Sequence, residues 1–353
     1  MSIVGPDGPL KREWRAPYPV DVPTILSVHR RGPRDPAFRI DATGAVWRTS
    51  LTPAGPGTIS VRTVRASTVR ASTVRASTVR ASTVRVSTGC AAGEESGPRD
   101  NRARHDNDAG TVVGATAWGP GAAWLLDQLP GLLGAADDPA GFVPVHPLLR
   151  ELASRHRGTR IGRSARVLEA LVPAVLEQKV VGLEAHRAWR VLLLRHGLPA
   201  PGPAPAGMRV FPPARVWSRL PSWEWHQAGV EAVRARTIAG AASVAGRLEE
   251  IGELAATEAD RRLRALPGIG PWTSAEVRQR ACGDADAVSV GDYSLPAAVG
   301  WALAGRIVDD AGMLELLAPY PGHRHRAARL IELSGARPPR RGPRMAVRDY
   351  RGR

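Results

Sequence analysis

The residues best placed to do chemistry are concentrated in one stretch. At 266–273 the chain reads Leu-Pro-Gly-Ile-Gly-Pro-Trp-Thr, and Asp292-Tyr293 follows about twenty residues later. Gly268 and Gly270 permit a turn tight enough to bring backbone N–H groups at a helix start against an anion, and for a basic chain that anion is naturally a DNA phosphate. The same Gly-Ile-Gly also suits an ordinary connection between helices. Asp292 is the only carboxylate of the run 288–296 and stands just ahead of a helix-like segment. It therefore reads both as a helix N-cap and as a charge available to a reacting group, and the two roles are compatible.

These residues need two helices and a turn to hold them. Residues 257–265 read as a short helix with Thr257 as its N-cap and acidic residues in the first turn. Residues 272–282 resume helical composition up to Gly283. Two helices about this turn make a helix-hairpin-helix.

Composition bounds the rest. The 353 residues carry 49 Lys+Arg against 33 Asp+Glu, a formal net charge of +16, which points to a polyanionic partner. Nearly all of the positive charge is arginine, Lys11 and Lys179 being the lysines, and a GC-rich genome would write the same bias. With 43% hydrophobic residues and this length, a folded chain of two domains is expected. Cys90 and Cys282 give no disulfide framework and too few thiolates for an iron–sulfur cluster. No apolar run reaches the length of a membrane span, and a cytoplasmic, nucleoid-associated protein is expected.

Along the chain, residues 1–13 read as a flexible start. Strands are expected at 24–28, 38–40, 45–48 and 111–117, with a hairpin turn at 41–44 and a helix at 120–133. Between them Val-Arg-Ala-Ser-Thr recurs every five residues from Val64. An odd period sends successive valines to opposite faces of a strand, so the segment at about 60–110 reads as a low-complexity insert; an arginine repeat that contacts nucleic acid is the alternative. Residues 14–135 then form a small α+β domain interrupted by that insert. Residues 145–335 read as helical, with helices at 164–178 (Ser164 as cap), 182–196, 230–248, 295–303, 309–317 and 322–333, and a Pro-rich loop at 198–213. A basic tail, 336–353, completes the chain.

The hairpin and Asp292 together resemble the helix-hairpin-helix (HhH-GPD) DNA glycosylases, whose hairpin reads L-P-G-[IV]-G-x-[WK]-T-A and whose essential aspartate lies just beyond the next helix. Within them the pair is most similar to the bacterial inducible 3-methyladenine type, over Trp14 to about Gly335. The resemblance implies an α+β N-terminal domain, a small antiparallel sheet with helices, followed by a mainly α-helical glycosylase domain. It implies a monomeric, monofunctional enzyme of base excision repair that hydrolyses the glycosidic bond of alkylated purines in double-stranded DNA. Asp292 becomes the catalytic carboxylate. Trp272 occupies the place where strand-nicking relatives carry a lysine that forms a Schiff base, so no AP-lyase step is expected. From the residue alone, Trp272 is either core packing or a pocket wall whose indole face attracts a cationic flipped base.

Further roles follow from the resemblance. Tyr293 and Glu276 join Trp272 in the base pocket, although Glu276 replaces a common aromatic. Gly268, Gly270, Thr273, Gln178 and Lys179 become DNA contacts, and Arg324 either reaches phosphate or holds a helix. No cofactor is required, while the main-chain carbonyls of Arg264, Leu266 and Ile269 are positioned for a structural Na+ or K+. Gly291 stands where the type often has a second aspartate, and His323 and His325 read as surface residues. The rival functions are a catalytically inactive DNA- or lesion-binding protein, and a glycosylase for deaminated or oxidised bases.

Overall fold

The computed structural model describes residues 8–64 and 110–339. Its first part is a five-stranded antiparallel sheet in the order β1-β5-β4-β3-β2, formed by Leu10–Arg15 (β1), Phe38–Ile40 (β2), Val46–Thr52 (β3), Gly55–Val64 (β4) and Val112–Trp118 (β5). Alternation decides which face is covered. In β5, Val113, Ala115 and Ala117 are buried and their neighbours are not. The buried set shares a core with helix α1 (Val22–Leu26) and with α2 (Ala122–Asp127) and α3 (Leu129–Leu132), through Ile25, Leu26, Leu125 and Leu129. The single helix expected at 120–133 is thus two, the second opening with Pro130 in its first turn. The hairpin turn at 41–44 forms, with Gly44 N–H donating to the Asp41 carbonyl at 3.0 Å.

Two expectations fail here. Residues 10–13 are not a loose start but part of β1, an edge strand exposed along most of its length, and so without the apolar alternation that marks a covered strand. Residues 24–28, expected as a strand, belong to α1 and to the 3-10 turn Ser27–His29 that continues it. Asp21 accepts the Thr24 N–H at 3.1 Å and a proline sits in the first turn, and these start signals outweigh the β-branched side chains. Residues 60–64, expected in the insert, instead complete β4. The pentapeptide repeat beyond Val64 lies outside the described residues, and β4 and β5, on either side of it, are paired neighbours with Val64 opposite Val112.

The helical part follows as α4 (Pro147–Arg155), α5 (Val167–Leu176), α6 (Gly182–His196), α7 (Ala214–Arg219), α8 (Ser222–Ala228), α9 (Ala232–Ser243), α10 (Ala245–Glu249), α11 (Ala256–Arg264), α12 (Pro271–Val277), α13 (Leu295–Ala304), α14 (Asp310–Leu317) and α15 (Arg324–Ser334). Helix α5 is the axis of a first apolar cluster that also takes in α6, α9 and α12: every residue of α5 except Glu169 is buried, which is why its sequence is apolar all round. Its start is not capped by Ser164. The carboxylate of Glu249, at the end of α10, accepts the N–H groups of Val167 and Leu168 at 2.8 and 3.2 Å, a cap from far along the chain that local reading cannot find. Glu169 ties the helix to the sheet, accepting the Leu51 N–H at 2.6 Å and pairing with Arg48 at 3.3 Å. A second apolar cluster joins α4, α13, α14 and α15 through Leu149, Val299, Met313 and Ile331. The segment bearing Asp292 lies between α12, on the first cluster, and α13, on the second.

Candidate active site

The hairpin consists of α11, the turn 265–270 and α12. Thr257 does not cap α11; it lies within the first turn, and the N-cap position is Ala255. Gly268 has φ +84°, and a Cβ there would meet Thr237 Oγ1 at 2.2 Å, so the position demands glycine twice over. Gly270 is the N-cap of α12 with φ −94°, and a Cβ on it would meet nothing within 4 Å. Its missing side chain keeps the start of α12 open to an approaching group. Gln178 braces the turn, its Nε2 donating to the Gly268 carbonyl at 3.0 Å and to Thr273 Oγ1 at 2.8 Å. Thr273 is buried, and Ser274 Oγ donates to Asp260 at 2.6 Å, locking α12 to α11.

Asp292 is held from both sides. Oδ1 accepts the N–H groups of Ser294 and Leu295, each at 2.8 Å, at the start of α13. Oδ2 accepts the Trp272 indole N–H at 3.0 Å. Just before it, Gly291 has φ +91°, a left-handed conformation that a second aspartate at this position would strain. The carboxylate lines a cavity of about 360 Å3 whose other walls come from α1 and the turn after it (Ile25, Ser27, Val28), from α12 and its continuation (Glu276, Gln279, Arg280) and from α15 (His325, Arg329). Glu276 is buried, accepting Ser289 Oγ at 2.7 Å and pairing with Arg280 at 2.7 Å, while Gln279 donates to the Ala287 carbonyl at 2.8 Å.

The remaining expected residues are distributed around this centre. Trp272 is partly buried against the first apolar cluster and reaches Asp292 without lining the cavity. Tyr293 is 92% exposed. Lys179 is exposed at the turn after α5 with φ +53°, an uncommon conformation for a side-chain-bearing residue. Arg324 is occupied by Asp286, to which its backbone N–H and its Nε donate at 3.0 and 2.8 Å, a clamp on the start of α15. Ile269 is buried, Arg264 pairs with Asp260 at 3.5 Å, and the Leu266 carbonyl accepts the Ile269 N–H at 3.1 Å.

His325 is a correction: it lines the cavity instead of lying on the surface. Burial, with Arg280, Arg329 and Arg326 around it, pushes its imidazole down to about 3. Arg280 was legible as the partner of Glu276 four residues earlier. The wall formed by Ile25, Ser27 and Val28 was hidden because that segment read as a strand.

Two α-helices about a glycine turn, an aspartate at the next helix start and a preceding antiparallel sheet belong to a fold that this chain shares with solved DNA glycosylases. Among solved structures, a 3-methyladenine DNA glycosylase from Archaeoglobus fulgidus matches with a TM-score of 0.64 at 16% identity, covering 92% of this chain and 98% of that one. An 8-oxoguanine glycosylase/lyase from Clostridium acetobutylicum, bound to double-stranded DNA with cytosine opposite 8-oxoguanine, matches at 0.60 and 10% identity over 89% of this chain and 91% of that one. MBOgg1, bound to a low-affinity DNA ligand, matches at 0.62 and 13% over 93% of this chain and 95% of that one. No protein-family model and no curated protein sequence matches the chain.

Proposed function

We propose that the protein is a monofunctional DNA glycosylase of base excision repair, with Asp292 as its essential carboxylate and damaged double-stranded DNA as its substrate. The observation that carries this reading is the fixed carboxylate at the edge of a cavity large enough for a base, next to an open helix-hairpin-helix turn. Phosphates of the damaged strand dock on the N–H groups at the start of α12, where Gly268 and Gly270 shape the approach. The damaged nucleotide leaves the stack and its base enters the cavity. As the C1′–N bond breaks, positive charge develops on the sugar, and the Asp292 carboxylate stabilises it and orients the attacking water. Oδ2 can accept from that water as well as from the indole, since each carboxylate oxygen has two lone pairs.

Trp272 supports hydrolysis without strand cleavage, because an indole cannot form a Schiff base. A monovalent cation at the hairpin would be held by the carbonyls of Arg264, Leu266 and Ile269; that of Leu266 also accepts the Ile269 N–H. The sequence resemblance supports alkylated purines as substrate; the polar lining of the cavity supports another class.

The test is base release from duplexes carrying single methylated, oxidised or deaminated bases, for the wild type and Asp292→Asn. Release by the wild type only, with strands intact until alkali is added, is expected. DNA binding without release by either protein would replace this reading with that of a lesion-binding protein.

A further inference from the structure

The cavity beside Asp292 is lined largely by polar side chains, with more cations than carboxylates among them. Six arginines reach its lining, Arg280 and Arg329 among them, against three carboxylates, Glu276, Asp292 and Glu332. Three of those arginines are already paired, Arg280 with Glu276, Arg329 with Glu332 and Arg31 with Glu177. Arg30 and Arg160 donate to backbone carbonyls, while Asp292, held by neutral N–H donors, keeps its charge. A guanidinium has only donors, more of them than these bonds use, so the N–H groups left over suit an acceptor on a ligand. The apolar part of the lining is aliphatic, including Ile25, Val28 and Leu295, and holds no phenylalanine, tyrosine or tryptophan among the described residues.

Two further lining groups are uncommitted. The Thr159 hydroxyl is buried without a partner, and the His325 imidazole has no hydrogen bond to another described residue. Kept neutral by its surroundings, that imidazole offers one donor and one acceptor.

A cationic alkylpurine is poorly served by such a site. It finds no aromatic face for its charge, and an excess of guanidinium groups repels it. A neutral base with one carbonyl oxygen more than its normal counterpart meets donors instead. We infer that the cavity accepts an uncharged flipped base bearing an added carbonyl oxygen, the product of oxidation or deamination, and that His325 determines this specificity by reading its edge; the inference rests on the glycosylase reading of Asp292.

The experiment uses the full chain in single-turnover base release from otherwise identical duplexes. One arm contains 7-methylguanine, a second 8-oxoguanine, and a third hypoxanthine, xanthine or uracil; the second and third distinguish oxidation from deamination. At least one carbonyl-bearing lesion is expected to be released ten-fold or more faster than 7-methylguanine. His325→Ala and His325→Gln are then compared with the wild type on both kinds of lesion, with folding checked by thermal melting. His325→Ala is expected to shrink the ratio of the two rates about ten-fold, and His325→Gln, which keeps a donor and an acceptor, to restore part of it. A merely structural role would slow both lesions alike and leave the ratio unchanged, overturning the role of His325. Preferential release of 7-methylguanine overturns the substrate class and leaves the glycosylase reading intact. No release from any duplex overturns both.

Discussion

The Trp272 indole N–H donates to Asp292 Oδ2 at 3.0 Å, joining the first turn of the hairpin's second helix to a carboxylate twenty residues further on. With Oδ1 fixed by the start of α13, this bond sets the plane of the carboxyl group. On the proposed function, the tryptophan acts through the aspartate rather than through stacking on the base. Trp272→Phe keeps an aromatic ring and removes the donor. A hydrogen bond to a charged group is worth about 1.5–3 kcal/mol, so the single-turnover rate of base release should fall by about ten- to a hundred-fold. The dissociation constant for duplex DNA should not move. An unchanged rate would mean that the helix start alone orients the carboxylate.

Substitutions at the two hairpin glycines test stability apart from the proposed DNA binding. Gly268→Ala places a Cβ at φ +84° and against Thr237, and should lower stability by about 1–3 kcal/mol in urea unfolding. Gly270→Ala adds a methyl group to open space with an ordinary φ, and stability should stay within about 0.5 kcal/mol. If phosphate docks at the start of α12, Gly270→Ala should still weaken DNA binding. Equal affinity for Gly270→Ala and wild type would move the DNA elsewhere.

How far the sequence revealed this arrangement depended on the range of the interactions. The hairpin was legible because its glycines answer local demands of backbone and approach. The helices α5, α6 and α11 to α15 were legible from their composition and periodicity, α9 and α10 as one run, and β2, β3 and β5 as short β-rich runs between turns, whereas the short helices α7 and α8 were not read. What was hidden came from afar. Glu249 caps α5 across the fold, β1 is an edge strand without an apolar face, and α1 is set by Asp21 and Pro23 against its β-branched content. The cavity wall was the hardest to see, since Ile25, Glu276 and His325 meet there only after three separate segments have packed.

Arg324 offers a choice between two roles that a salt titration can settle. Its guanidinium and its backbone N–H both engage Asp286, which its positive charge holds below the ordinary carboxylate range despite burial. Arg324→Ala should therefore lower the melting temperature while leaving the slope of log Kd against log salt unchanged. A phosphate contact would instead reduce that slope by about one.

The last expectation concerns pH. His29, His186, His323 and His325 are all held below the ordinary histidine value of 6.5, first by burial and then by neighbouring arginines. A histidine depressed in the folded state binds fewer protons there than in the unfolded chain. Its contribution to stability is complete above about 6.5 and is lost as pH falls towards the folded value; for His325 that window extends down to about 3. The half-exposed carboxylates Asp41 and Glu258 are held at about 2 by hydrogen bonds, so their losses begin only below their unfolded values of 3.8 and 4.5. A decline between pH 6.5 and 5 therefore belongs to the histidines. The urea midpoint should fall on going from pH 7.5 to pH 5, each histidine contributing at most about 1.4 kcal/mol per pH unit. His325→Gln removes one titrating group and should flatten the curve over that interval. A profile level from pH 7.5 to 5 would show that these imidazoles take up protons without loss of the fold, and that the arginines around His325 give way to admit the charge.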